Sequence, residues 1–239
     1  MSPDPRPLPR ALLLFGAGPG IGAHVATTLA AHGSIAHVIL IGRNTDRISA
    51  SDATLVRTAA PTVKVDVLRA DLDDLDAIPG VLAEIDALTA TEDVEVVYYN
   101  AARIAPSALE SSVDVLAADL RLNVLALHIV AQHYLPRMQT LAAAHSTAKP
   151  ALLVTSSHLP NEPIPQLLSL SVAKGAQRTH VLAMNQAMRP HRVHCGLVEV
   201  HGIVAPDAPV LNPANVAREV CTFWQKAEGA QIVLKELGE

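Results

Sequence analysis

Residues 16–22 read GAGPGIG and stand between an apolar run, ALLLFG (11–16), and IGAHVATTLAAHG, which reads as a helix. Glycines at such a junction let backbone N–H groups approach a pyrophosphate, and the helix N-terminus adds a field that favours the anion. Gly16, Gly20 and Gly22 are the spaced positions, with Ile21 between the last two and Gly18 adding permissiveness. The strand–loop–helix setting is the one a dinucleotide site requires. The next strand ends in LIGRN, with Arg43 at its end and no acid before Asp46. A carboxylate there would bond the ribose 2′-hydroxyl of NAD, whereas a basic residue accommodates the 2′-phosphate of NADP, so the expected cofactor is NADP(H). Arg47 reads as a solvated helix residue. Further on, VTSSHL (154–159) closes another strand. A hydroxyl at Ser157 can donate to a substrate carbonyl oxygen and stabilise developing negative charge; Ser156 reads as its structural neighbour. His158 follows, and His201 comes later in HGIV; an imidazole at either place can exchange a proton near neutral pH.

The elements that must position these groups alternate along the whole chain. Buried strands are expected at 11–16, 36–42, 63–71, 94–102, 149–157 and 191–200, with a possible last one at QIVLKE. Helices are expected between them. Gly33 stops the first, and Asn44 caps the second, which Pro61 helps to end. LDDLDAIPGVLAEIDALTA reads as a helix with an acidic first turn, which suits its dipole and is a solvated cap rather than a metal site. Residues from about 107 to 145 read as helical in two pieces, and QLLSLSVAKGAQRTHVLAMNQAM as a later helix. Strand–helix alternation specifies an α/β fold, a single doubly wound Rossmann-type domain. Its parallel sheet has about seven strands, with helices on both faces and a ligand crevice outside the C-terminal strand ends. The expected organisation is a Pro-rich flexible arm over 1–10 and one domain over 11–239, with a C-terminal, substrate-side segment at about 199–239.

Composition narrows the function. The chain has 239 residues, half of them hydrophobic, with a formal net charge of −5. No basic run is present, so a nucleic-acid partner is not expected. The MSPDPRPLPR start lacks the apolar core of a signal peptide, and no apolar stretch is long enough for a membrane span. Cys195 and Cys221 are too few for a disulfide framework or a zinc site and read as reduced thiols of a cytoplasmic protein. No metal is expected.

Together the GxxxGxG loop, RADL (69–72), YNAA (99–102), RLNVL (121–125), VTSSHL and SVAK (171–174) resemble the short-chain dehydrogenase/reductase family, over roughly residues 10 to 205. The resemblance assigns Asp71 to the adenine amino group and the Leu72 backbone to the ring, though Asp71 can also cap the following helix. Asn100 would stabilise the central sheet, with Ala101 and Ala102 lining the cofactor. Asn123 takes the place of the family asparagine, whose main chain holds a water in the proton relay. Ser157 takes the place of the serine. Lys174 takes that of the lysine, which bonds the nicotinamide ribose and lowers the pKa of a tyrosine four residues before it. Here that position is Leu170. The only tyrosines are Tyr98, Tyr99 and Tyr134, so a small shift of register does not recover it. Leucine has no ionisable proton.

Three functions answer this departure. One is an NADP(H)-dependent reductase or dehydrogenase acting on a small carbonyl or imine, with His158 or His201 as another donor. An iminium acceptor would need no donor, because hydride turns it into a neutral amine. Another is a non-redox cyclase or isomerase of secondary metabolism, its pocket lined by Leu159, Leu167 and Leu170. The third is a non-catalytic NADP(H)-binding protein. The loop EVHGIVAPDAPVLN (199–212) is placed by the resemblance over the substrate, with Leu170, Leu159 and His201 lining the pocket. LNPANVAREVCTFWQK resembles the C-terminal helix of fungal relatives, and Trp224 reads as a packing residue. The helices around 113–138 and 166–187 form subunit contacts in many relatives, which implies a homodimer or homotetramer.

Overall fold

The computed structural model describes residues 8–236. Seven strands form one all-parallel sheet in the order β3-β2-β1-β4-β5-β6-β7: β1 (Arg10–Phe15), β2 (Ile35–Gly42), β3 (Lys64–Arg69), β4 (Asp93–Tyr99), β5 (Ala151–Ser157), β6 (His194–His201) and β7 (Gln231–Lys235). The helices are α1 (Ile21–Ala31), α2 (Thr45–Arg47), α3 (Ala53–Ala59), α4 (Ile78–Leu88), α5 (Val113–Leu120), α6 (Ala126–Ala144), α7 (Leu168–Met188) and α8 (Pro213–Lys226). Side chains alternate along β1, as pleating requires. Ala11, Leu13 and Phe15 pack with α4 and α6 residues such as Leu82, Leu127 and Tyr134. Leu12 and Leu14 pack with α1, α3 and α8 through Val25, Leu29, Val56 and Val220. Both faces of the central strands are therefore covered, and β1, β4 and β5 read as nearly unbroken apolar runs for that reason.

The order of strands reverses between β1 and β4, which leaves a crevice at their C-terminal ends. Register carries the opposite rim: Phe15 lies beside Tyr99, Tyr99 beside Val154, and Ser157 beside Val200. All the strand ends that carry motif residues thus face one rim.

The structure moves several boundaries. Residues 1–7 of the expected arm lie outside the described residues, while Arg10 already opens β1 and pairs with Asp93 at 3.1 Å. The helix expected from residue 72 begins at Ile78, with Pro79 in its first turn and no acid there. The acids before it fold into turns instead: Asp71 Oδ1 accepts from the Asp73 amide and Asp74 Oδ1 from the Ala77 amide, each at 3.2 Å. Short carboxylate side chains that bond nearby amides compete with helix, and proline suits only a first turn. Helix is also absent over 107–112, because Ser107 is drawn into a bridge with Leu167 at the start of α7. Two helical stretches contain a turn wound as a π-helix, Ile48–Asp52 and Arg121–Leu125. Among the described residues no helix is long and apolar enough to cross a membrane, and none of the His, Cys, Asp and Glu side chains gather into a group that could hold a metal.

Within the segment expected on the substrate side, α8 and β7 are built into the fold. α8 packs on α1, with Trp224 2% exposed, edge-on to His32, its Nε1 donating to Lys149 O at 2.8 Å. β7 completes the sheet. Trp224→Ala removes a large buried ring and orphans that carbonyl, so it is expected to cost about 3–5 kcal/mol in urea denaturation followed by circular dichroism; a loss below about 1 kcal/mol would show that α8 is not part of the cooperative core.

Candidate functional site

A cleft of about 320 Å³ opens over the reversal point, lined among others by Gly16, Arg43, Asp71, Leu72, Asn100 and Ala101. Six of the residues expected at the cofactor thus meet in one place. Gly16 has φ +85°, and a Cβ there would lie 2.4 Å from Ala101 N, so only glycine lets β1 turn this closely against the end of β4. Gly20, Ile21 and Gly22 form the start of α1, where amides lack a partner one turn earlier and can meet an anion. Arg43 is exposed at the end of β2 and makes no ion pair with any described residue. Arg47, expected to be solvated, is instead tied down. Its Nη2 donates to Ala17 O at 3.0 Å and its Nη1 to the buried Asp52 at 2.8 Å, bracing the glycine loop.

Asn100 joins the cleft to the catalytic rim. Its amide N–H group Nδ2 donates to Gly16 O at 3.1 Å, its backbone amide donates to Phe15 O at 2.8 Å, and its Oδ1 accepts from Thr155 Oγ1 at 2.8 Å. Tyr98 OH lies 2.8 Å from the same Thr155 oxygen. Thr155 has one hydroxyl hydrogen, so with that given to Asn100 the phenol must donate to Thr155. Tyr98 and Tyr99 are fully buried, and burial holds both phenols well above the ordinary tyrosine pKa. They are fixed donors, and neither stands in for the missing tyrosine.

Lys174 lies on α7, 5% exposed. Its Nζ donates to Thr155 O at 3.0 Å and to Gln177 Oε1 at 2.8 Å. Gln177 Nε2 in turn donates to Asn123 O at 2.9 Å. The carbonyl of Asn123, expected to hold a relay water, thus already accepts one hydrogen bond from a side-chain amide, with a second lone pair left. Asn123 sits in the π turn, 0% exposed, with Nδ2 on Asp119 O at 2.9 Å. Sequence reading missed Gln177, although three residues along a helix from Lys174 is the spacing that puts two side chains on one face. Burial pulls the Lys174 pKa down to about 7, with the charge of Asp119 working in the opposite direction. Asp119 is itself buried against Ser169 and Arg103. An amide conducts no proton without passing through a high-energy tautomer, so the chain Lys174–Gln177–Asn123 fixes the amine and leads no proton inward.

Ser157, His158, Leu159, Leu170 and His201 lie outside this cleft. Ser157, half-buried, accepts from the Leu159 amide at 3.3 Å and keeps its own hydrogen for another acceptor. Leu159 and Leu170 are 4% and 3% exposed, so Leu170 fills the tyrosine place as packed wall. His158 and His201 stand together with ring centroids 5.9 Å apart. Neither lines the nucleotide cleft. Asp71 is exposed within that cleft and caps a turn rather than the next helix.

The chain belongs to the short-chain dehydrogenase family: the family model described as short chain dehydrogenase matches residues 10–210. No curated protein resembles the sequence closely enough to match. Solved structures share its fold. An alcohol dehydrogenase from the archaeon Thermococcus sibiricus complexed with 5-hydroxy-NADP aligns at TM-score 0.80 and 19% identity, covering 96% of this chain and 98% of that one. YwfH, an NADPH dependent reductase involved in bacilysin biosynthesis, aligns at 0.80 and 16%, covering 94% and 96%. An NADH-dependent reductase complexed with NAD aligns at 0.79 and 18%, covering 97% and 96%.

The buried amine has a consequence for stability. The unfolded chain keeps the Lys174 proton up to about pH 10.4, while the folded chain releases it through about pH 7. In that window the unfolded state binds more protons, so this group makes folding more favourable as pH rises. Lys174→Met removes that contribution. Its stability relative to the parent should be highest near or below about pH 7 and fall as pH approaches about 10, measured by urea denaturation at both ends. A difference that does not change with pH would show that the amine is not neutralised by folding.

Proposed function

We propose that this member of the short-chain dehydrogenase family is an NADP(H)-dependent reductase or dehydrogenase of a small organic carbonyl or imine, with proton transfer that does not use a tyrosine. The observation that carries the reading is the unpaired Arg43 on the wall of a cleft that also contains Gly16, Asn100 and Asp71. A guanidinium with no internal partner, at the end of the second strand, fits a 2′-phosphate. The other residues of the cleft suit the rest of that cofactor. The α1 N-terminus and glycine loop would hold the pyrophosphate, and Asp71 and Leu72 the adenine. When bound, NADP(H) supplies the hydride. Ser157 would orient a carbonyl oxygen, and Lys174 would meet the ribose edge.

A second reading is favoured by one observation. Leu170 is 3% exposed and carries no ionisable proton, so that place on α7 can pass none. That suits an iminium acceptor, or a cyclase or isomerase that moves no hydride. Stoichiometric loss of NADPH separates these readings. With a panel of carbonyls, imines and enones, the parent should consume NADPH as product forms, and Arg43→Ala should weaken NADPH binding by at least about tenfold in calorimetry while NADH is little affected. Product without NADPH loss would replace the reductase by an isomerase. Equal affinities of the parent for NADPH and NADH would remove the assignment to NADP(H).

For assembly we propose a homodimer or homotetramer through the outer faces of α6 and α7. Leu125 and Val172 there are 46% and 47% exposed, and His128 meets His180 at 3.1 Å. Size-exclusion light scattering should give a multiple of the 25.2 kDa chain; a monomer would sink the assignment.

A further inference from the structure

A second group of titratable side chains lies on the same rim, outside the nucleotide cleft. Ser157 and Val200 are register partners at the ends of β5 and β6, so His158 and His201 each come one residue later. Their rings meet edge to face, and with Glu162, Gly202 and Lys235 they line a separate cleft of about 240 Å³. His201 Nε2 lies 3.3 Å from Glu199 Oε2. Glu199 and His201 are two residues apart on β6 and therefore project from one face. Glu199 is 1% exposed, and its other oxygen accepts from Arg178 Nε at 3.2 Å. Arg178 is held in turn by Gln231 Oε1 at 3.1 Å.

This pairing determines the state of the imidazole. A carboxylate anchored by a guanidinium can only accept, so the hydrogen between it and His201 resides on Nε2. That leaves Nδ1 as the exchangeable nitrogen, and it makes no hydrogen bond with a described residue. A base whose tautomer is fixed by a buried carboxylate is a recurring arrangement for moving protons to and from a reacting oxygen. Lys174 is 5% exposed, lines neither cleft and gives two of its three hydrogens to carbonyls that hold it in place, so it is not placed to do this.

We propose that His201 is the proton donor that replaces the absent tyrosine, with Glu199 and Arg178 as its positioning residues and a polar carbonyl compound as the substrate class. The proposal rests on the reductase reading. In the reducing direction the carbonyl carbon takes hydride from NADPH and its oxygen takes the proton from Nδ1 of the His201 imidazolium. The hydride-bearing C–H bond of NADPH, the C=O π bond and the Nδ1–H bond break, one C–H and one O–H bond form, NADP⁺ is released, and neutral His201 takes back a proton from solvent at the cleft. The charged groups facing His201 are Glu199 on β6, Arg178 on α7 behind it, and Glu162, Lys235 and His158 around the cleft. Two imidazoles, a carboxylate and an ammonium fit a hydroxylated or carboxylated carbonyl compound better than an apolar ketone.

The test uses the full chain with NADPH and a set of hydroxyketones, keto esters and keto acids, and reads NADPH loss across pH. His201→Gln should lower kcat by about 100-fold with NADPH affinity retained, and Glu199→Gln should lower kcat less while moving the alkaline limb of the profile, where the donor loses its proton, to lower pH. Nitrogen-15 imidazole spectra should show His201 as the Nε2–H tautomer in the parent and a mixture in Glu199→Gln. A His201→Gln enzyme within about threefold of the parent overturns the proposal and leaves the reductase reading standing. A parent that consumes no NADPH with any probe overturns that reading, and this one with it. A parent whose His201 tautomer is mixed overturns the dyad whatever the activity.

Discussion

At the reversal of strand order, the side-chain amide of Asn100 donates to Gly16 O at 3.1 Å and accepts from Thr155 at 2.8 Å. That one amide joins the end of β4 to the glycine turn after β1 and to the end of β5. The turn itself is closed by Gly16 and Ala17 amides donating to Ile41 O, both at 2.9 Å, and by Arg47 on Ala17 O. The backbone approaches so closely here that a single added methyl at Gly16 would collide with Ala101. The cleft and the ends of β4 and β5 therefore share one hydrogen-bonded joint, and Thr155 ties Lys174 to it.

From that joint the catalytic helix is locked by polar bonds in an apolar setting. Lys174 gives two hydrogens to carbonyls of Thr155 and Gln177, and Gln177 continues the chain to Asn123. A buried ammonium with no carboxylate in contact is costly, and its pKa falls accordingly. Beside it Leu170 contributes packing and no proton. Along this helix Leu170 is an alkyl group one turn before Lys174, and Gln177 one turn after it gives its amide to Asn123 O. On the reductase reading proposed above, the cleft would seat the hydride cofactor, and the proton would come from elsewhere on the rim. The donor proposed for that role is His201, whose Nε2 lies 3.3 Å from Glu199.

Much of this was legible in the sequence, for definite reasons. Apolar runs of strand length, divided by helical segments and punctuated by glycine, specify a parallel sheet flanked by helices, because strands that are apolar on both faces must be covered on both. The glycine loop, Arg43 and Asp71 could be read as parts of one nucleotide site, since each is fixed by its place at the end of a strand. The absence of a tyrosine at 170 needed no structure at all. Less legible were places where local chemistry competes with helix, as at Asp71–Asp74 and at Ser107, because side-chain and long-range backbone bonds there outweigh propensity.

What only the tertiary structure decided is partnership across elements. Arg47 and the glycine loop, Lys174 and Gln177 with Asn123, and Glu199 with Arg178 and His201 join residues from different strands and helices. A sequence specifies residue types and local period, so it gives the fold class and the list of strand-end residues. Whether a lysine ends as a solvated charge or as a buried amine, and whether a histidine stands alone or beside a carboxylate, depends on which side chains the parallel register brings within about 3 Å of one another. That is set by packing of the whole sheet and its helices.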